Sequence, residues 1–555
     1  MILFILDLTG AFMKLLRALP VVLLSLTLFA QTPSATPSEP DWNAAGAAWW
    51  SHVQYLADDK LQGRLPGTPG FEAATQYVVS QFKEVGLKPA GTEGFLQPIK
   101  LLSFRTDDDK SSVELISAGK HTTLKPGKDI TLSPHVTSGP AVDAPLVFIG
   151  YGLHLPYKHI DDLAGLDLRG KVVVLYNSAP AKLQGPLRAY ARMPAQRWKT
   201  LKAAGVIGII SINPPRPLPG PAPVPGKPAT PPPPPQPRPT ILFADQSLDT
   251  LAGLRVNASV QLKNADKLLS LSGHTMAQLQ PLIDAGKPLP TFDMNTTIHI
   301  DTVASQNPSI DTQNVIGELE GSDPTLKHEF VVISAHLDHV GVGKPVNGDT
   351  IYNGAMDNAS GIASVIEAAK LLAAGPRPKR SILFIALTAE EMGELGSAYF
   401  AAKPTVDKSN IVADLNMDMF LPLFPLRYLE VQGLGESTLG NDARAVAQLN
   451  DVEVQFDKQP DENRFIRSDQ VNFIAQGIPA LAFKFGWTPD SPEMKTFNDF
   501  VKTRYHKPSD DLNQPVDKAA AAQFTHLLAE LAVRVANAPQ RPSWYPESSF
   551  AHQTE

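Results

Sequence analysis

The chain has 555 residues, 43% of them hydrophobic and 19% charged, with a formal net charge of −7 and no cysteine. A single core stops growing near ~250 to 300 residues, so two folded units are expected. The acidic balance offers no broad basic surface for a phosphate backbone and argues against nucleic acid as a partner. The absence of cysteine excludes disulfides, thiolate metal sites, a Cys nucleophile and a lipid-modified N-terminal cysteine, so any metal must sit on His, Asp and Glu.

Lys14 and Arg17 precede the apolar run ALPVVLLSLTLFA (18–30), after which the composition turns polar in QTPSATPSEP. This is the pattern of a secretory signal. The run is shorter than the ~20 residues a membrane span wants, which favours a cleaved signal over a retained anchor. Residues 1–30 are therefore read as a signal peptide and 31–41 as a linker, and the protein is expected to be exported, periplasmic or extracellular, without stable membrane insertion. A cut after Ala30 fits, although Leu28 is larger than the small residue preferred there, and MKLLR from Met13 makes a complete charged start by itself.

Residues 42–86 read as two helices. In FEAATQYVVSQFKEVG, Ala74, Val78, Phe82 and Val85 share one face, and the closing glycine suits a C-cap. From 126 to 295 the character changes to short β-rich runs, LVFIGYG, KVVVLYN and GVIGIISI, with one helical stretch, RWKTLKAAG, before the last. An inserted β-rich module is expected there. Within it lies PPRPLPGPAPVPGKPATPPPPPQPRPT (214–240), where proline removes backbone donors and fixes φ, so it reads as a loop or stiff spacer.

From Asn314 buried strands alternate with helices: FVVISA, a helix over ASGIASVIEAAKLLAAG, then SILFIALT, IVADLNMDMF, YLEVQG, VEVQF, ALAFKFG and a closing helix over AAAAQFTHLLAELAVRVA. The pattern predicts an α/β fold of three layers, α/β/α, with a mainly parallel central sheet. Reactive residues then belong just past the carboxyl ends of strands.

Three of these strands run directly into donor side chains: FVVISA into His336 and Asp338, SILFIALT into Glu390 and Glu391, and IVADLNM into Asp418. Two more candidates lie in loops, Asp357 in NGAMDNASG and His506 in YHKPSDD. Singly each is weak, since a paired Glu at a helix start compensates the helix dipole and DNASG reads as a capped turn. Jointly, two imidazoles and three carboxylates can hold two divalent ions ~3.5 to 4 Å apart, provided that one carboxylate such as Asp357 is shared. Such a set suits Zn²⁺ without excluding Mn²⁺ or Co²⁺.

The motifs SAHLDHVG, NGAMDNASG, TAEEMGELGS, LNMDM, RSDQVNFIAQGIPA and YHKPSDD occur in this order within 334–511, and the likeness they mark covers about 42–125 and 296–540. In this the sequence resembles the co-catalytic zinc exopeptidases, which include bacterial leucyl aminopeptidases and glutamate carboxypeptidases. The stretch 126–295 resembles a protease-associated domain, and 541–555 is left as a tail. The resemblance implies two Zn²⁺ ions, one on His336 and Asp418, the other on Glu391 and His506, with Asp357 between them. It implies Glu390 as general base and Asp338 as the carboxylate that orients His336. Gln470 and Met356 depart from the family's pattern without replacing a ligand. Peptides are the implied substrates, an aminopeptidase being favoured over a carboxypeptidase or dipeptidase, because acidic groups around a di-metal centre can grip a free N-terminus and Arg464 and Arg467 do not amount to a multi-arginine cluster for a C-terminal carboxylate. Single-zinc cyclase chemistry and a non-catalytic binding protein on the same fold are the remaining readings.

Overall fold

The computed structural model of the chain describes residues 40–134, 140–183, 185–215 and 239–551. The expected signal peptide, almost all of the expected linker, nearly all of the proline-rich stretch and the end of the tail lie outside the described residues. From Trp42 onward the chain forms one compact unit built on two sheets. No helix among the described residues is long and apolar enough to cross a membrane.

The first helices, Trp42–Leu56 and Pro69–Val85, form where the apolar periodicity places them. The second starts on Thr68, whose side chain accepts from the Phe71 N–H, and ends at Gly86, where φ of 81° lets the cap N–H reach Phe82 and Lys83 carbonyls. Ala74, Val78 and Phe82 are fully buried against the larger sheet.

In that sheet the strand order is Thr240–Phe243, Leu96–Thr106, Ile310–Leu319, Ser381–Leu387, Phe330–His336, Ile411–Asn416, Ala480–Phe485, Tyr428–Gln432 and Glu453–Gln455. The mainly parallel sheet expected from the sequence is instead mixed. Strands 381–387, 330–336, 411–416 and 480–485 run parallel to one another. Outward from them, 310–319, 96–106 and 240–243 on one side and 428–432 on the other pair antiparallel. The physical reason lies in the residues: central strands such as ILFIA are buried on both faces, whereas Leu96–Thr106 alternates buried and exposed positions, as antiparallel strands with one solvated face do. Val331, Ile333 and Ala335 pack with helices Trp42–Leu56, Ser360–Ala374 and Lys518–Asn537, while Val332, Leu383 and Ile385 point the other way onto Phe400 and Phe473.

The second sheet orders Lys120–Thr123, Ser112–Ser117, Thr291–Asp301, Val142–Ile149, Val172–Tyr176, Gly208–Asn213, Val256–Gln261 and Thr131–Leu132. It has its own apolar core, including Leu146, Val174, Ile210 and Ile298. Its limits differ from those read in the sequence. Strands 112–117 and 120–123 belong to it, although they precede the composition change at 126, because they pair antiparallel through Thr291–Asp301. Conversely Thr240–Phe243, well inside the stretch 126–295, pairs with Leu96–Thr106 in the larger sheet.

Candidate metal centre

The parallel strands set the site by register. His336, the last residue of its strand, lies opposite Leu387, and Ser334 lies opposite Asn416, so all three chains leave the sheet on one edge. Beyond that edge stand His336, the pair Glu390 and Glu391, and Asp418. Asp357 arrives from the turn that opens helix Ser360–Ala374. That turn is crowded: a side chain at Gly354, where φ is 62°, would meet the Asp357 carbonyl at 2.1 Å.

All five candidate ligands fall in one cluster. His336 Nε2 is 3.3 Å from Asp357 Oδ1 and 3.4 Å from Asp418 Oδ1. His506 Nε2 is 3.2 Å from Asp357 Oδ2 and 3.1 Å from Glu391 Oε2. The two oxygens of Asp357 therefore face two different donor sets. A sixth group, His339, is absent from the sequence candidates; it is fully buried with Nδ1 2.7 Å from Glu391 Oε1. His336, Asp357 and Asp418 form one triad of convergent atoms, and His339, Asp357 and Glu391 another.

The donor atoms fit metal ions. His336 Nε2, Asp357 Oδ2, Glu391 Oε1 and Asp418 Oδ1 are buried, yet none has a hydrogen-bond partner in the described structure. Buried polar atoms are rarely left unpaired, and close approach without hydrogen-bond geometry is what lone pairs converging on a cation produce. The electrostatics agree. Burial lowers the proton affinity of His336, but Glu390, Asp357 and Asp418 outweigh it and hold the imidazole well above its ordinary range. At His506 burial likewise opposes, and Asp357 and Glu391 still raise the ring to about 10. The cluster draws positive charge to the place where two cations would sit. Imidazole and carboxylate without thiolate is a donor set for Zn²⁺.

Glu390 differs from its neighbour. Burial first, then Asp418, Glu391 and Asp469, push its carboxyl well above the usual range against the pull of His336. Glu391 is held at about 2, because His339 and His506 overcome both burial and Asp357. Asp338 is fully buried, and its role differs from the expected one. The Asp338 main-chain carbonyl, 3.1 Å from His336 Nδ1, accepts from that ring, while the carboxylate stands 3.9 Å away. Its oxygens instead accept the backbone N–H groups of Glu390 at 3.1 Å and Glu391 at 3.2 Å, and so fix the turn that carries both.

Two further residues were invisible in the sequence. Arg64, fully buried, donates to the carbonyls of Leu56, Leu337, Asn353 and Gly354, tying the His336 loop to the Asp357 turn. Asp510 accepts the N–H groups of Met356 and Asp357 at 3.0 Å each. Neither carries a signal stronger than an ordinary loop charge. Gln470 accepts from Asn416 and donates to the Arg464 and Phe465 carbonyls, and Met356 is a core side chain, so both departures from the family's pattern are structural here.

Residues 314–532, which contain every one of these ligands, match the profile of Peptidase family M28. Over this stretch the chain is similar to peptidase family M28. Among curated relatives, Carboxypeptidase Q of Mus musculus is 33% identical over 128 residues, 22% of this chain and 25% of that protein. Leupeptin-inactivating enzyme 1 of Streptomyces exfoliatus is 30% identical over 169 residues, 30% of this chain and 34% of its own. Among solved structures, an aminopeptidase from Aneurinibacillus sp. strain AM-1 aligns at 20% identity and a TM-score of 0.47, over 89% of this chain and 95% of that one. The matches with the two curated relatives span only 25% and 34% of their length.

Proposed function

We propose that this chain is an exported zinc exopeptidase, acting on free N-termini of peptides with two Zn²⁺ ions shared through Asp357. The observation that carries the reading is the facing of the two Asp357 oxygens toward separate nitrogen and carboxylate partners, with the raised carboxyl of Glu390 beside them. His336 and Asp418 would hold one ion and Glu391 and His506 the other. When bound, zinc polarises a peptide carbonyl and makes water more acidic.

The rest falls to the chain. Glu390 takes a proton from the attacking water and returns it to the leaving amine, and burial, which raises its carboxyl above the ordinary range, favours its accepting that proton. Asp338 keeps Glu390 in place through its backbone N–H. A three-layer exopeptidase scaffold and a protease-associated role for the second sheet are part of this reading, supported by that sheet's separate core. Export rests on the sequence pattern of residues 1–30. Both polarities occur among relatives' names, aminopeptidase and carboxypeptidase, and a carboxypeptidase or dipeptidase is the second reading.

Glu390→Gln tests the assignment. It is expected to retain two equivalents of zinc while losing about 10² to 10⁴ in kcat. A fully active variant, or wild-type protein that binds no zinc, sinks the proposal. Anilides of free amino acids beside their N-acetylated forms decide polarity, since hydrolysis of both alike excludes an aminopeptidase.

A further inference from the structure

A cavity of about 110 Å³ opens beside the metal centre, with Asp418 in its wall. It carries three cationic side chains, Arg464, Arg467 and Lys484, against one further carboxylate, Glu462. Lys484 is 8% exposed, and its Nζ donates to the main-chain carbonyls of Asp418 and Met419, each at 3.0 Å. An ammonium has three donors, so one is left over. Arg464 is held in the wall by Gln459, which accepts from it at 2.6 Å, and by the ring of Phe497, 5.4 Å from its guanidinium. The carboxylate nearest to it is Asp457 at 3.9 Å, and most of its five donors are uncommitted. Glu430 lies behind both cations and is itself buried.

Burying an ammonium and half-burying a guanidinium beside an active centre is costly, and a pocket meant only for an apolar side chain needs neither. We propose that this pocket receives a carboxylate of the substrate, with Arg464 as its partner and Lys484 setting the positive field at its floor. The inference rests on reading the adjacent centre as an exopeptidase site. Two sources have the required chemistry: an acidic side chain on the residue next to the cleaved bond, or the terminal carboxylate of a short peptide. With Asp418 committed to a metal ion, the wall carries three positive charges against the one of Glu462. Leu421, Phe497 and Val501 supply apolar walls that strengthen such a charge-assisted contact.

The experiment compares wild type, Arg464→Gln and Arg464→Lys on two substrate pairs, glutamyl against leucyl anilide and a free dipeptide against its C-terminal amide. Calorimetry with L-glutamate and L-leucine on the zinc-loaded protein adds a readout independent of turnover. In at least one pair the carboxylate-bearing member is expected to show a KM about ten-fold or more below its counterpart. Arg464→Gln brings that ratio within about three-fold through KM, and Arg464→Lys restores part of it. The pair that responds identifies the source. Neutral substrates preferred in both pairs, with L-glutamate bound no tighter than L-leucine, overturns the inference and leaves the exopeptidase reading standing. If no peptide is cut with zinc bound, that reading fails instead, and the calorimetry still decides the pocket.

Discussion

His339 and His506 meet the same carboxylate from different sides, and their environments predict different losses. His506 is half-exposed and points Nε2 at both Asp357 and Glu391, whereas His339 is fully buried behind Glu391. Removing His506 takes away a ligand, so His506→Ala is expected to hold one equivalent of zinc instead of two. Removing His339 takes away the group that steadies a ligand, and such losses cost about 10- to 100-fold in affinity. His339→Ala is therefore expected to keep both metals at saturation but to surrender one to a competing chelator first; equal metal content and equal chelator resistance in the two variants contradicts the distinction. The five candidate ligands were legible because each sits at a strand end or in a motif of donors. His339 was not, although it lies only three residues beyond His336. Its turn is placed by the Arg64 main chain, which accepts the His339 N–H from a segment remote in sequence. Asp338 shows the same limit: the residue was readable, but whether its carboxylate or its carbonyl faces His336 depends on the path of the turn.

At the level of elements, strands and helices with strong periodicity were readable, and how they join was not. The pairing of Ser112–Ser117 with Thr291–Asp301 brings together segments about 180 residues apart, and no local pattern announces it. The joints are made by buried polar side chains. Arg64 satisfies four carbonyls from three segments, and burial lowers its guanidinium to about 10, so it stays charged at neutral pH. Arg64→Met leaves those carbonyls without donors and is expected to cost about 3 kcal/mol or more, read from denaturant unfolding; Arg64→Lys recovers little, because one ammonium cannot span the fork. The helical face is joined differently. His52 on the first helix and Lys370 on Ser360–Ala374 both reach Glu367 Oε1, at 2.8 and 2.9 Å. Burial pushes the Glu367 carboxyl up, but these two partners outweigh it and leave it below its ordinary 4.5. A carboxyl depressed in the folded state stabilises above its unfolded value and loses that contribution as pH falls through the folded one. The melting-temperature advantage of wild type over Glu367→Gln is thus expected to be full at pH 6 and to shrink below about pH 4.5. An advantage that grows on acidification contradicts the assignment.

Across the whole molecule the candidate ligands all come from the region built on the larger sheet and its helices. Those of the first triad and Glu391 follow its central strands or the turn before Ser360–Ala374, and His506 comes from the loop before the closing helix. The second sheet supplies none and has its own core, touching the first region through contacts such as Tyr190 with Phe465 and Phe550. Convergent carboxylates without a cation repel one another, so metal must stabilise the first region selectively. A ligand bound only by the folded state adds RT ln(1 + [L]/Kd), about 4 kcal/mol at a thousand-fold excess over Kd. Chelation is therefore expected to lower the melting temperature and to speed amide exchange in peptides covering 330–340, 355–362, 387–395 and 411–420. Peptides from Val142–Ile149, Val172–Tyr176 and Gly208–Asn213 keep their protection, because local opening follows the local core. Addition of zinc to the chelated protein reverses the first effect, and His336→Ala blunts it. Equal deprotection of both sheets would mean that the metal centre stabilises the two as one cooperative body, and that the separate core of the second sheet gives it no stability of its own.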